Sequence, residues 1–545
     1  MEAPRDSRTG SQATIISSDA SVGSNLSTVS SQRYVCPHCP LPMDSLKKFK
    51  SYNNFEEILQ AIGPMGRYQT FLCLLMLYST IMWAGNLYFD TFSSILPNWA
   101  CDTGPLRRRS ADFCTQFQQC DNLTATYIFK STVVEWKLEC GEKVKLTYIL
   151  VAEYCFRFLG AFLGGHIGDR IGRKVCVYAA QFVICIVGVM TVSSQSWTAF
   201  LAWKSLTFFF IGVSEVVAFV LVLEFTDQKH RLLVASFFHY SLAFIIMGLV
   251  AYLSASWKMY LVIINFISAP ILLGYLILYS SPRYLIQRNR LQKAAEILNR
   301  LCTDQWNNKP KLSFCIEELQ SLPRNEGNDK CYSFISFPKS CQMVKLMVGL
   351  CFLGFAYGLV DEAFSLNLKK EPLHPFGEMA LVGGIQLMLS LVVIILDWKI
   401  FRFGRRLLLF GSLAVMILIF GIIIILRWIY FTDELLVDYI LVIIVTGISQ
   451  STFRVAVLLI AFESFPTVIR NTAVGILLAF KQIGGLLMTP IQLWVVHNLP
   501  FGAFLVAEVG LVLAFVLGTC FIPETKGNQC LQDTLEDCER EKNEI

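Results

Sequence analysis

The stretch GGHIGDRIGRK, residues 164–174, decides how this chain is read. It places Arg170, Arg173 and Lys174, with His166 and Asp169, directly behind the apolar run YILVAEYCFRFLGAFL (148–163). In a chain that is 54% apolar and only 16% charged, such a knot of charge marks where a segment leaves an apolar medium. That composition points to lipid as the solvent, not to a set of water-soluble domains.

Working outward, apolar stretches long enough to cross a hydrocarbon layer as helices recur through the chain. Twelve spans are expected, at 68–90, 146–167, 175–194, 198–223, 232–254, 258–279, 344–366, 379–397, 407–428, 438–461, 471–495 and 501–522. The first begins too deep in the chain for a cleaved signal peptide, so the first span itself would direct insertion. The expected fold class is an all-α membrane protein of two six-helix bundles. Its parts are an N-terminal arm (1–62) taken as disordered, a bundle (63–279), a linker (280–343), a second bundle (344–522) and a tail (523–545).

Basic residues gather in alternate loops: Arg170, Arg173 and Lys174; then Lys229 and Arg231; then Lys399, Arg402, Arg405 and Arg406. By the positive-inside rule these loops, the linker and both termini are cytoplasmic. The net charge of +5 follows from this bias and indicates no nucleic-acid partner. The loop 91–145 holds Cys101, Cys114, Cys120 and Cys140 beside the acceptor Asn122-Leu123-Thr124, as expected of an oxidising, glycosylating compartment. Four cysteines allow three pairings, and the spacing does not choose. The CPHC at 36–39 is half a zinc site with no second half, so no metal is expected. Within the linker, RLQKAAEILNRL (290–301) has helical spacing.

The halves repeat. Glu224 precedes Arg231 by seven residues after the fourth span, and Glu463 precedes Arg470 by seven after the tenth. Arg170-x-Gly172-Arg173-Lys174 is matched by Arg402-x-Gly404-Arg405-Arg406, and SPRYL (281–285) by PETKG (523–527). The second copy departs in having Phe401 before Arg402, with Asp397 five positions ahead of it.

Gly165-x-x-x-Asp169-Arg170-x-Gly172-Arg173-Lys174 matches the signature loop of the major facilitator superfamily. IGPMGRYQ (62–69), the long cysteine-bearing loop, AFESFPTVIRNTAVG (461–475) and IPETKG resemble the organic ion transporter family within it. Members carry organic cations, anions or carnitine-like zwitterions. The resemblance implies a secondary carrier working by alternating access, with a small organic solute and the lipid bilayer as partners, and with Na⁺ or H⁺ coupling left open. It implies plasma-membrane residence. Sugar carriers share the SPRYL and PETKG endings but lack the long first loop.

Two sets of functional residues follow. The cytoplasmic gate is expected from Gly165, Asp169, Arg170, Gly172, Arg173, Lys174, Glu224, Arg231, Arg402, Gly404, Arg405, Arg406, Glu463 and Arg470. Here Asp169 would reach the opposite bundle while its neighbouring cations stay in water, and Glu224–Arg231 and Glu463–Arg470 would complete the latch. The cavity is expected from Glu215, Phe219, Tyr240, Phe355, Tyr357, Asp361, Phe453, Arg454, Lys481 and Gln482, because ionisable groups at membrane depth face a cavity or one another. Glu153 and Arg157, four apart, would neutralise each other; Lys204 would snorkel. By the resemblance, Gln482 stands where cation carriers have an acid and anion carriers an arginine, so neither sign of substrate is selected there.

No phosphate-binding loop, nucleophile-base set or cofactor motif stands out, so an enzyme is not expected and no cofactor is assigned. The competing function class is a receptor or scaffold that keeps the carrier fold without transport.

Overall fold

The structure, a computed structural model, describes residue 52 and residues 54–526 except 64, 103, 107–111, 237–239, 304–305, 308, 310–311, 323–340, 369–374, 401–402, 431–435 and 499–500. The CPHC pair and Arg402 lie outside the described residues. Among those residues, eleven helices are long and apolar enough to cross a bilayer. They are numbered here as spans 1 (Arg67–Leu87), 2 (Val144–Ile171), 3 (Arg173–Val192), 4 (Trp197–Glu224), 5 (Arg231–Ser254), 7 (Cys341–Leu368), 8 (Pro375–Lys399), 9 (Arg405–Tyr430), 10 (Leu436–Ser464), 11 (Arg470–Asn498) and 12 (Gly502–Phe521).

Span 6 is the exception. It is α-helical over Trp257–Ser268 and tightens to 3-10 geometry over Ala269–Leu273 before a last turn, Gly274–Ile277. Pro270 sits at that change, where its missing N–H and its ring disfavour continued α-helix.

The two halves meet along two helix pairs. Span 2 lies on span 11 and span 5 on span 8, each close enough to exclude side chains. A Cβ on Gly165 would stand 2.5 Å from the Asn471 carbonyl oxygen, and one on Gly475 would stand 2.5 Å from that of Ala161. In the second pair, Gly248 faces the Phe376 carbonyl and Gly383 that of Ser241, again at 2.5 Å. Backbone-to-backbone contact of this kind is how helices associate where lipid supplies no hydrophobic drive.

The loop between spans 1 and 2 folds around a three-stranded antiparallel sheet, Asn98–Cys101 between Gly104–Pro105 and Thr124–Thr126. The bridges are Cys101–Cys120 and Cys114–Cys140, which settles the pairing that spacing left open. Asn122 is exposed beside the sheet. Ser131 and Thr132 donate to the carbonyls of Ile95 and Ser93, and Glu135 pairs with Lys130 at 2.9 Å and Lys258 at 2.7 Å, so the loop is tied to the first half.

At the opposite end, Phe55–Ile62 is a helix that buries Phe55, Ile58, Leu59 and Ile62. The arm expected to be disordered over 1–62 is therefore ordered in its last turns, because this short stretch carries an apolar face that the first half covers. Its Glu56 accepts from Arg231 and, at 2.7 Å, from Arg283. The linker helix expected at 290–301 is present as Leu291–Leu301.

Burial alone would push the Glu56 carboxyl up, but the two guanidiniums outweigh it and hold it below its ordinary value of 4.5. A carboxyl depressed on folding contributes stability in full above the unfolded pKa and loses it as pH falls through the folded one. Glu56→Gln should therefore lower the melting temperature at pH 7, since it strands two buried arginines at a cost of about 3–5 kcal/mol. The gap to the parent protein, followed by thermal unfolding in detergent, should stay constant down to pH 4.5 and narrow only below it.

Candidate functional site

Spans 2 and 4 of one half and spans 7, 10 and 11 of the other bring carboxylates or cations to the centre of the molecule, and span 5 adds Tyr240. Glu215 of span 4 is the hub. It accepts from Arg157 of span 2 at 3.2 Å, from Arg454 of span 10 at 2.7 Å and from the Tyr240 hydroxyl at 3.0 Å. Arg157 also holds Glu153 at 3.1 Å, and the Arg454 guanidinium lies 4.2 Å over the Tyr240 ring. The intramembrane pair expected of Glu153 and Arg157 is thus the first rung of a ladder that crosses between the halves.

A second cluster stands beside the first, within the second half. Lys481 of span 11 pairs with Asp361 of span 7 at 2.7 Å and lies 4.3 Å over the Tyr357 ring. The Tyr357 hydroxyl donates to Gln450 at 2.9 Å, and the Gln450 amide donates to Asp361. Phe453 packs edge-on against Tyr357. Glu362 accepts from Tyr154 of span 2 and from Thr489 at 3.5 Å.

Gln450 and Phe453 belong to a π-helical turn, Ser449–Phe453, inside span 10. The extra residue in that turn re-aims the side chains that follow it, and such turns recur at functional positions. Sequence reading missed Gln450, because nothing in an apolar helix with one amide announces a π turn.

The other expected cavity residues fall differently. Phe219 packs edge-on against Phe462, whose ring lies beneath the Arg470 guanidinium at 4.6 Å. The Phe355 carbonyl is where Gly484 of span 11 approaches span 7. Gln482 is buried, and its carbonyl oxygen has no hydrogen-bond partner among the described residues. Lys204 does not snorkel: it is buried, donates to the Asn86 carbonyl at 2.7 Å and lies 4.5 Å over the Phe89 ring. Glu508 of span 12 has no account in this geometry.

A narrow cleft of about 30 Å³ reaches this centre between spans 1, 2 and 7, lined by Tyr88, Asp90, Glu153, Arg157, Asp361 and Glu362 among others. That is room for one or two waters and not for an organic solute. Both ends are shut, by different chemistry.

At the end bearing the signature loop, closure is ionic. Asp169 accepts from the Thr472 amide and hydroxyl, both at 2.9 Å, and from the Asn471 amide at 3.0 Å. A carboxylate from the first half thereby caps the N-terminus of span 11 in the second, where unpaired N–H groups and the helix dipole favour negative charge. Arg173 binds Asp169 at 3.1 Å, Glu224 at 3.3 Å and the Thr467 carbonyl at 2.8 Å, and its guanidinium covers the Tyr284 ring at 4.2 Å. Glu224 faces Arg470 across the halves at 3.7 Å. Gly172 supplies the turn between spans 2 and 3 at φ 112°, a conformation a side chain would strain.

Several gate expectations need correction. Arg173 is buried in the closure and not held in water; only Arg170 is exposed, with Lys174 half-buried. Glu224 does not pair with Arg231, which Glu56 has taken, and Glu463 does not pair with Arg470 but accepts from Thr525 at 2.6 Å. Seven residues place each glutamate and arginine on either side of a loop, where a closer partner from another element wins. In the second copy, Asp397 pairs with Arg405 and Lys526, both at 2.8 Å. Glu524 of PETKG caps span 9 through the Arg405 and Arg406 amides, at 2.8 and 3.1 Å, and stands where a Cβ on Gly404 would be. These partners stay inside the second half.

At the disulfide-bearing end, closure is aromatic. Phe376 of span 8 sits against Phe92, Phe129 and Tyr252 of the first half, at ring distances of 5.8, 6.1 and 6.2 Å.

Comparison with known proteins gives the following. A family model described as "Sugar (and other) transporter" matches residues 111–534. Solute carrier family 22 member 7 of Rattus norvegicus is 25% identical, with 76% of each chain covered. Solute carrier family 22 member 3 of the same organism is 27% identical, covering 75% of this chain and 72% of its own. Among solved structures, a major facilitator superfamily proton:xylose symporter aligns with TM-score 0.60 over 90% of this chain and 99% of its own, at 16% identity, a likeness of fold alone.

Removing the capping charge isolates the ionic closure. Asp169→Asn should weaken several charge-assisted bonds worth roughly 1.5–3 kcal/mol each and move the population toward an opening at the signature-loop end. Nitroxides at the exposed positions Ile171 and Leu407 should report a longer distance distribution. An unchanged distribution would show that Asp169 does not hold this end shut.

Proposed function

Because the chain belongs to the sugar (and other) transporter family, and is a major facilitator transporter of the solute carrier 22 type, we propose that it is an alternating-access carrier of small organic ions. The observation that carries this reading is a charged centre, shared by both halves and sealed at both ends. A centre closed on both sides is the intermediate such a cycle must pass through.

Two six-helix halves rock about the span 2–11 and span 5–8 contacts. When one end opens, the caps on span 11 break; when the other opens, Phe376 leaves its aromatic seat. The signature-loop end faces the cytoplasm with both chain termini, and the disulfide loop with Asn122 faces outside the cell at the plasma membrane. The cytoplasmic gate consists of Asp169, Arg173, Glu224 and Arg470, and the cavity of Glu215, Arg157, Arg454, Tyr240, Tyr357, Asp361 and Lys481. Movement of substrate needs no nucleotide, and the downhill gradient of substrate or of an ion supplies the drive.

A carrier and a receptor on this fold separate on uptake. Proteoliposomes should take up at least one of a labelled quaternary cation, a dicarboxylate and a betaine with saturation, and Phe376→Ala and Asp169→Asn should both slow net uptake by biasing opposite ends. Stabilisation of the protein by a solute, with no uptake of it and no change in the distance distributions at either end, would favour the receptor.

A further inference from the structure

Glu508 takes no part in the charged centre, yet it stands well inside the bilayer. It is the seventh residue of span 12, so its Cα lies about 9 Å from the Gly502 end of that helix. A glutamate side chain is too short to carry its carboxylate over that distance to water. The Oε2 atom is buried with no hydrogen-bond partner among the described residues. An ionised carboxyl at this depth is costly until a cation or a donor reaches it.

The packing around it fixes the direction from which that cation comes. Glu508 shares a helical stripe with Phe504, four residues before it, and Phe515, seven after it. Those two rings pack on Phe420 and Phe410 of span 9, at 5.8 and 5.4 Å, so the glutamate sits over span 9 between two aromatic contacts. The stretch of span 9 between those rings, GSLAVMILI (411–419), holds no charged residue. On the other flank of Glu508, Leu505, Val509 and Val512 are exposed on the face that lipid covers. The carboxylate therefore opens into the groove between spans 9 and 12. Gly411 and Gly421 follow directly after the two phenylalanines of span 9, and a Cβ at either would meet nothing within 4 Å. A further helix laid in the groove has room to bring its backbone close there.

We propose that this groove is the docking site for a membrane helix of another protein, a single span that carries one lysine or arginine at the depth of Glu508. Charge complementarity selects that occupant. Lipid tails bring no donor. A second copy of this chain brings none at this depth either: among the described residues, each lysine or arginine of a span is buried or lies within five residues of a span end. A basic partner helix meets Glu508 where water does not screen the pair, and the pair sets the register of the two helices. Spans 9 and 12 supply none of the groups that meet at the centre, so a partner seated here leaves that centre accessible.

The test uses the full-length protein with a fluorescent donor fused to its C-terminus, reconstituted in phosphatidylcholine liposomes. The probes are acceptor-labelled synthetic helices of about 23 residues, rich in Leu and Ala, with a central Lys, Leu or Glu. Energy transfer to the Lys helix should half-saturate at about tenfold lower peptide density than transfer to the Leu helix. Glu508→Gln should remove most of that difference, and Glu508→Lys should move the preference to the Glu helix, a reversal that damaged packing would not produce. Should Glu508→Lys fail to fold, Gly421→Leu fills the groove without touching the charge and should weaken association of the Lys helix. The melting temperature of Glu508→Gln without peptide should equal or exceed that of the parent, since no internal partner is lost. A clear drop would give Glu508 a role inside the chain and overturn the proposal. So would equal association of the Lys and Leu helices, or a preference that survives Glu508→Gln. Energy transfer between two labelled copies of the protein, abolished by Glu508→Gln, would put a second copy in the groove and overturn the choice of partner.

Discussion

A single carboxylate between two guanidiniums is the constraint on which the rest of this molecule depends. Glu215 receives one arginine from its own half and one from the other, with a tyrosine as third donor. Any of these charges alone in hydrocarbon would cost several kcal/mol, so the halves cannot part at the centre without water or solute taking the vacated positions. The glycine contacts on spans 2, 11, 5 and 8 let the backbones come close enough for such short side-chain bridges. The charged centre supplies the reason for closeness and the glycines supply the room.

Closure at the two ends is not equivalent. At the signature loop a carboxylate satisfies helix-terminal amides that would otherwise face an apolar neighbour or water; at the disulfide loop, rings bury area against rings. The first kind of contact is directional, and ions in the surrounding water compete with it. The second is non-directional and weakens little with ionic strength. Each end therefore exchanges its closure for solvation on different terms, and the balance between the two open forms is adjustable by changing either chemistry alone.

The fold was legible in sequence because bilayer-length apolar runs and their flanking cations are local signals. The linker helix at 291–301 was equally plain from its periodicity. Partner choice was not. Glu224 and Arg231, or Glu463 and Arg470, are evenly spaced in both halves, yet the actual partners come from distant elements: Glu56 before span 1, Arg173 after span 2, Thr525 in the tail. A repeat records common descent of the halves, and it is silent on which copy still meets its own half. Lys204 misled for a related reason, since a lysine near a helix end reads as bound for water unless a carbonyl and ring from a neighbour are known to receive it. The π turn around Gln450 left no mark in composition at all.

The two copies of the signature loop show how a symmetric fold comes to work asymmetrically. In the first copy the Asp169 carboxylate meets one cation of its own half among the described residues, Arg173, and its remaining lone pairs reach across to span 11. In the second, the acid has slipped to Asp397, where Arg405 and Lys526 hold it, while Glu524 caps span 9 from within the same half. Through these contacts the second copy fastens its own half together. Its mirror position, the start of span 5, is held by Glu56 from the helix before span 1. One loop thus works as a closure between halves and the other as a brace within one half. The division follows from a shift of a few residues in where a single carboxylate stands.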